Sequence, residues 1–181
     1  LPLDAMRPSR TATPYLPAIG DKTPFPKISR ADSSRYANIL NQSTTWVGTN
    51  FPAFECADDD VNDAFYYRLR LFHLHVRRGP KAPGCDASGC HVITEFLMKV
   101  FWSGPANTIV APAGHHILEG RWLREPTIVD QYARFWFSHG WRKQYSFWAA
   151  HALMERAALI GGGPHGIGIV SDLIGELIGN Y

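Results

Sequence analysis

Residues 112–126 hold the densest group of chemically active side chains in this sequence. The run Pro-Ala-Gly-His-His-Ile-Leu-Glu-Gly-Arg-Trp-Leu-Arg-Glu-Pro contains two histidines, two glutamates, two arginines and a tryptophan, with glycine and proline on both sides. Carboxylates and guanidinium groups hydrogen-bond hydroxyls, and an aromatic face stacks on C–H surfaces. This polar strip therefore has the composition of a site for a sugar or another multi-hydroxyl ligand. The alternative is a surface loop whose charges are solvated.

Carboxylates are the candidate acids and bases. Hydrolysis of a glycosidic bond needs two carboxyl groups placed across that bond. Glu119 is the leading candidate because it lies close in sequence to His116 and Trp122, and the alternative is a structural glutamate held in an ion pair. Spacing pairs no two of the available acids, so the catalytic residues stay unknown: Glu55, Glu95, Glu119, Glu125 and Asp130.

Metal and cofactor chemistry find little support. His115 and His116 could ligate a metal, but neighbouring residues rarely both point at one ion unless a third ligand converges. The sequence has no nucleophile elbow, phosphate loop, dinucleotide fingerprint or metal-helix motif. Gly161-Gly162-Gly163 lacks a following Lys-Ser/Thr and is interpreted as a helix stop. We expect no metal and no cofactor.

Length and charge limit the class of protein. A chain of 181 residues can form one domain with a sizeable core. The net charge of +2, without a run of Lys and Arg, argues against nucleic-acid binding. No apolar run approaches the roughly 18 residues of a membrane-spanning helix, so we expect no membrane association.

The cysteines leave the compartment open. Cys85 and Cys90 flank a short turn and could close a small disulfide loop in a secreted protein, or could remain free thiols. Abundant proline and this possible bridge favour secretion without establishing it.

Helices must position the polar strip. Residues 1–44 are rich in Pro and Ser and predict an extended lead-in, with a short helix from Ser34 to Asn41. Asp58-Asp59-Asp60 marks the start of a helix that runs to about Arg78. Its expected buried stripe is Val61, Phe65, Leu69, Phe72 and Val76.

Further elements follow this helix. Residues 91–97 predict a short strand, and Pro126 opens a helix with Asp130, Gln131 and Arg134 on its outer face. The buried stripe of that helix is Ile128, Val129, Tyr132, Phe135 and Trp136. Two more helices are expected, from Gln144 to Ile160 and from about Ile169 to Tyr181. The last one keeps its apolar spacing to the end of the sequence, so we expect a partner, or a further part of a domain, to cover it.

Seven segments carry a resemblance to a known family. Together they resemble the first part of the catalytic domain of six-hairpin glycosidases, in particular the mannosylglycerate-hydrolase-like group and its relatives, the mannosyl-oligosaccharide glucosidases. The resemblance covers roughly residues 45–181. The segments are Phe54-Glu-Cys, Phe65-Tyr-Tyr-Arg68, Val92-Ile-Thr-Glu-Phe96, Pro112-Ala-Gly-His-His-Ile117, Glu119-Gly-Arg-Trp-Leu-Arg124, Tyr132-Ala-Arg-Phe-Trp-Phe137 and Gln144-Tyr-Ser-Phe-Trp148.

The resemblance implies a mainly α fold: a partial (α/α)6 toroid with a small β-hairpin element. It also implies a carbohydrate substrate, inverting hydrolysis without a cofactor, and an acid and base that lie beyond Tyr181. The alternative is a non-catalytic carbohydrate-binding or protein-interaction fragment. The sugar-contacting residues implied by the resemblance are His116, Glu119, Arg121, Trp122, Arg124, Gln144, Tyr145 and Trp148.

Two local features depart from the family pattern. Glu125 stands where relatives carry Asp, and a poorer N-cap predicts a looser helix start. The loop that holds Cys85 and Cys90 resembles an insertion into a shorter β-turn.

Overall fold

A computed structural model describes residues 35–141, 143 and 147–179, and over this part the chain is mainly helical with one small antiparallel hairpin. This confirms the predicted mainly α class and its β element. The helices are α1 Ala37–Leu40, α2 Thr44–Asn50, α3 Asp59–His75, α4 Ala113–Gly120, α5 Thr127–Ser138, α6 Ala149–Ile160, α7 Ile169–Asp172 and α8 Ile174–Ile178, and the strands are β1 Val76–Arg78 and β2 His91–Ile93.

The first long helix, α3, starts where predicted and ends earlier. The Asp58 carboxylate accepts hydrogen bonds from the backbone amides of Asp60 and Val61, as expected of an N-cap. The predicted end at Arg78 is wrong, because Val76–Arg78 leave the helix and pair with His91–Ile93. The Cys85–Cys90 disulfide lies in the loop between these strands. The strand predicted over 91–97 is accordingly limited to its first three residues.

The buried face of α3 is rotated from the prediction. Val61 is 47% exposed, whereas its neighbour Asn62 is fully buried. The Asn62 side chain accepts from the Cys56 amide and donates to the Cys56 carbonyl, so a polar residue takes the inner position without losing its hydrogen bonds. Tyr66, Leu69 and Phe72 continue this face.

The polar strip folds largely as a helix. α4 spans Ala113–Gly120 and packs most extensively against α6. A Cβ atom at Gly114 would lie 2.5 Å from the Trp148 indole, and one at Gly120 would lie 2.6 Å from Val129 of α5. Trp148 also donates through Nε1 to the Ala111 carbonyl. Glycine at these two positions thus lets neighbouring elements approach the α4 backbone.

The apolar stripe of α5 is confirmed: Ile128, Val129, Tyr132, Phe135 and Trp136 are all buried. Asp130 and Gln131 were expected to face outward and are buried instead. Asp130 pairs with Arg156 of α6, which is only 1% exposed, and with His165. Gln131 accepts hydrogen bonds from the His91 amide and ring. Partners that are distant in sequence therefore satisfy both polar side chains.

The structure places Pro126 at the N-cap of α5, with no side-chain cap hydrogen bond. The Glu125 carboxylate, one residue earlier, accepts from both the amide and the hydroxyl of Thr127. The looser helix start stays a prediction.

The two C-terminal predictions are partly correct. α6 begins at Ala149, and the expected start at Gln144 lies outside the described residues. The expected continuous helix from Ile169 is interrupted at Leu173, which separates α7 from α8. Val170, Leu173 and Leu177 are buried, whereas Ile174 and Ile178 are exposed. The end of the predicted stripe at Tyr181 also lies outside the described residues.

The described part of the lead-in joins the core. Tyr36 and Leu40 are buried, and α1 covers part of the short helix predicted from Ser34 to Asn41. The division of the chain at residues 44 and 45 stays a prediction. Among the described helices, none combines the length and apolar character needed to cross a membrane.

Substituting Gly114 tests the close packing of α4. We expect Gly114→Ala to lower the free energy of unfolding by about 1–3 kcal/mol, because the new methyl group must displace the Trp148 indole. Gly48→Ala is the control, since Gly48 lies within α2 and has no atom near its Cβ position. That change should be neutral or stabilise by up to about 1 kcal/mol. Urea denaturation measures both, and equal stabilities for the two variants would contradict the packing argument.

Candidate functional site

Two clefts share Arg68 as a lining residue. The polar cleft has a volume of about 280 Å³, and its polar lining residues are Arg68, His75, Thr94, Glu95, His115 and His116. The aromatic cleft has a volume of about 440 Å³, and its lining includes Phe51, Phe54, Phe65, Arg68, Glu119 and Trp122. α3 and α4 both contribute to each cleft. The site therefore depends on how these two helices face one another.

Arg68 and Glu119 form the link between the helices. Arg68 Nε donates to Glu119 Oε1 at 2.8 Å, and Nη2 donates to Oε2 at 2.7 Å. This paired geometry fixes the orientation of both side chains. Burial raises the pKa of Glu119, while the adjacent Arg68 guanidinium opposes that rise. Glu119 thus holds an arginine in place at the edge of the aromatic cleft.

His116 is buried beside the polar cleft with a defined hydrogen-bond pattern. Its Nδ1 lies 3.0 Å from the Tyr132 hydroxyl, and its Nε2 lies 3.9 Å from Glu95 Oε2. Burial, reinforced by nearby Arg68, lowers the pKa of His116 to about 3, so the ring is neutral. Burial also raises the pKa of Tyr132, which keeps its hydroxyl protonated. We assign the hydroxyl as donor to Nδ1, which places the imidazole proton on Nε2, towards Glu95.

His75 carries its proton on the other ring nitrogen, Nδ1. Its Nδ1 lies 2.7 Å from the Thr94 carbonyl, which can only accept, so Nδ1 carries the proton. Burial lowers the pKa of His75, which favours the neutral ring. Its Nε2 is consequently a hydrogen-bond acceptor. The polar cleft therefore combines acceptors, Glu95 and His75, with a donor at His116.

The aromatic cleft offers ring surfaces. Phe54 and Phe65 pack with ring centroids 4.7 Å apart. Trp122 is 46% exposed, and the Arg121 guanidinium lies 5.1 Å from its ring centroid. Such surfaces suit the C–H face of a sugar or an apolar group attached to one.

The structure brings together some of the predicted contact residues. His116 lines the polar cleft, and Glu119 and Trp122 line the aromatic cleft. Arg121 lines neither and lies against Trp122, and the Arg124 amide bonds the Asn50 carbonyl. Trp148 packs on Gly114 and on the His115 ring, behind the clefts. Gln144 and Tyr145 lie outside the described residues.

Sequence reasoning placed neither Arg68 nor His75 at a site, and it named Glu95 only as one of five available carboxylates. Arg68 and His75 stand seven residues apart, so they share one face of α3. This spacing could have indicated from the sequence that the two residues contribute to one site. His73, by contrast, stacks on Trp46 and bonds Ser43, as expected of a structural histidine. Glu95 follows β2, and its sequence neighbours did not distinguish it from the other four candidate acids.

The side chains that line the two clefts suit a polar organic ligand. Within the described ranges, no group of three or more His, Cys, Asp or Glu side chains is arranged to hold a metal ion. Hydroxyl groups can bond to Glu95, His75 and His116, while ring surfaces cover apolar faces. The arrangement can therefore bind and orient a carbohydrate.

The burial of neutral His116 predicts a pH-dependent stability. Its pKa is about 3 in the folded protein and higher in the unfolded chain, so the unfolded chain binds more protons between these values. Stability should be fully present above about pH 6.5 and fall as the pH decreases towards about 3. His116→Gln, which keeps a polar group near Tyr132, should show a shallower decrease in urea denaturation.

The exposed His151, changed to Gln, is the matched control for that measurement. A His116→Gln variant with the same pH dependence as the unmodified protein would contradict the assignment. The slope should not vanish entirely, because burial also lowers the pKa values of His73, His75 and His91.

Comparison with known proteins gives one structural likeness. A solved sialidase structure superposes with a TM-score of 0.67 and 28% identity over 81% of this chain. The chain spans about 15% of the length of that sialidase. No family model matches the chain, and no curated protein shows significant similarity to it. The likeness associates this fold with a carbohydrate-active protein and leaves the six-hairpin family as a hypothesis.

Proposed function

We propose that this chain is the sugar-binding part of a glycoside hydrolase domain of the (α/α)6 type. The observation that carries the proposal is the junction of a polar and an aromatic cleft at the Arg68–Glu119 pair. Hydrogen-bonding groups beside exposed rings are what carbohydrate recognition requires. The sialidase likeness supports the same broad class.

The ligand would occupy both clefts. Glu95, His75 and His116 would bond the hydroxyls of one sugar ring in the polar cleft. Trp122 and Phe54 would cover the C–H face of a neighbouring ring or aglycone in the aromatic cleft. Arg68, fixed by Glu119, would lie between the two units. Of the predicted contacts, His116 and Trp122 contact the ligand in this proposal, and Glu119 acts by holding Arg68.

The resemblance to six-hairpin glycosidases supplies the finer features of the proposal. In that arrangement residues 45–181 begin a helical toroid, and hydrolysis inverts the anomeric centre using an acid and a base outside this chain. Exposed Ile174 and Ile178 on α8 would then contact further helices. Inverting chemistry requires room for a water between the two carboxyl groups.

Binding without turnover is the second candidate function. One observation favours it: both carboxylate oxygens of Glu119 are engaged by Arg68. A carboxylate whose two oxygens both accept from an arginine is poorly placed to protonate a glycosidic oxygen. The chain would then recognise carbohydrate and leave catalysis to other residues.

Trp122→Ala tests the proposed site. We expect the change to weaken sugar binding by more than about 1 kcal/mol, since it removes the exposed ring of the aromatic cleft. Saturation-transfer NMR and calorimetry with methyl α-mannoside, methyl α-glucoside and N-acetylneuraminic acid measure the effect. Trp141→Ala is the matched control, because Trp141 is 50% exposed and lines neither cleft.

Each outcome tests a different part of the proposal. An unchanged dissociation constant in Trp122→Ala removes that ring from the site. Absence of binding by all three sugars contradicts the proposed function itself. Hydrolysis of p-nitrophenyl glycosides by the chain would contradict the assignment of the acid and base to residues outside it, whereas binding without hydrolysis agrees with both candidates.

A further inference from the structure

Glu95 is a carboxylate that faces the polar cleft without a cation beside it. Its side chain is 38% exposed, and the nearest basic group recorded within the described part of the chain is His116 Nε2 at 3.9 Å. That separation is too long for a direct hydrogen bond. Burial lowers the pKa of His116 to about 3, so the histidine brings no positive charge. The carboxylate is therefore available to a ligand.

Arg68 does not supply the missing charge. Its Nε and Nη2 groups both donate to Glu119, so these two donors are already committed to another carboxylate. A carboxylate such as Glu95 attracts a cation and repels an acidic group.

The hydrogen-bonding pattern has the same preference. The Glu95 carboxylate accepts hydrogen bonds. His75 accepts through Nε2, because its Nδ1–H group donates to the Thr94 carbonyl. An ammonium group has three donors and no acceptor, which complements two acceptors. The volume of about 280 Å³ suits a single small ring.

We propose that the polar cleft selects an amino sugar, whose protonated amine is bound by Glu95. This inference rests on the proposed function and names the ligand class of the same site. The His75 ring accepts a second hydrogen bond from the amine, and the aromatic cleft holds the rest of the ligand. An acidic sugar such as N-acetylneuraminic acid is disfavoured, because its carboxylate meets the Glu95 carboxylate.

Glucose and glucosamine form the matched ligand pair, since they differ only by a hydroxyl in place of an amine. Calorimetry on the 181-residue chain at about pH 6 keeps the amine protonated. Glucosamine should bind roughly tenfold more tightly than glucose, the ratio expected when a hydrogen bond gains a charged partner. Glu95→Gln should abolish this preference and retain glucose binding. Glu155→Gln, on the exposed side of α6, is the control and should keep it.

A second measurement needs no variant. Added NaCl should weaken glucosamine binding and leave glucose binding unchanged, because only the charged ligand depends on Coulomb attraction. Equal affinities for the two sugars, or tighter binding of N-acetylneuraminic acid, would overturn the inference and leave the proposed function in place. Absence of binding by every sugar would overturn both.

Discussion

The close approach of neighbouring elements to α4 is the constraint on which the site depends. Gly114 admits the Trp148 indole at one end of the helix, and Gly120 admits Val129 at the other. A larger residue at either position must displace the Trp148 indole or the Val129 side chain, and close-packed interiors transmit such displacements. Because His116 and Glu119 lie on α4, we expect their placement to depend on these two glycines.

Buried polar groups then fix the arrangement. Arg156 joins α6 to Asp130 of α5, and it also donates to the His165 and Pro126 carbonyls. Such a buried ion pair is a poor source of net stability, because desolvation offsets much of the attraction. The pair instead joins α5 to α6, and removing either partner would leave an uncompensated buried charge. The Arg68–Glu119 pair acts similarly between α3 and α4, at the edge of the clefts.

Sequence patterns predicted the elements that depend on interactions between residues close together in the chain. The Asp58 cap and the apolar stripe of α5 were predictable because both arise within a few residues. The strand Val76–Arg78 was not, since it exists only through pairing with residues 91–93 across the cysteine loop. Asp130 and Gln131 were assigned to the surface because their partners are distant in sequence. The polar cleft was missed for the same reason: Arg68, Glu95 and His116 come from three separate segments.

The two carboxylates at the clefts differ in what they can do. Glu119 is held by both donors of an arginine, so its charge is already neutralised and its position is fixed. Within the described residues, the one ion pair recorded for Glu95 is its long contact with neutral His116, so its carboxylate is open to a ligand. Sequence reasoning favoured Glu119 because polar residues surround it along the chain, but such neighbours can equally well occupy the carboxylate. Of the two, Glu95 has the freedom that ligand recognition requires, whereas Glu119 is committed to Arg68.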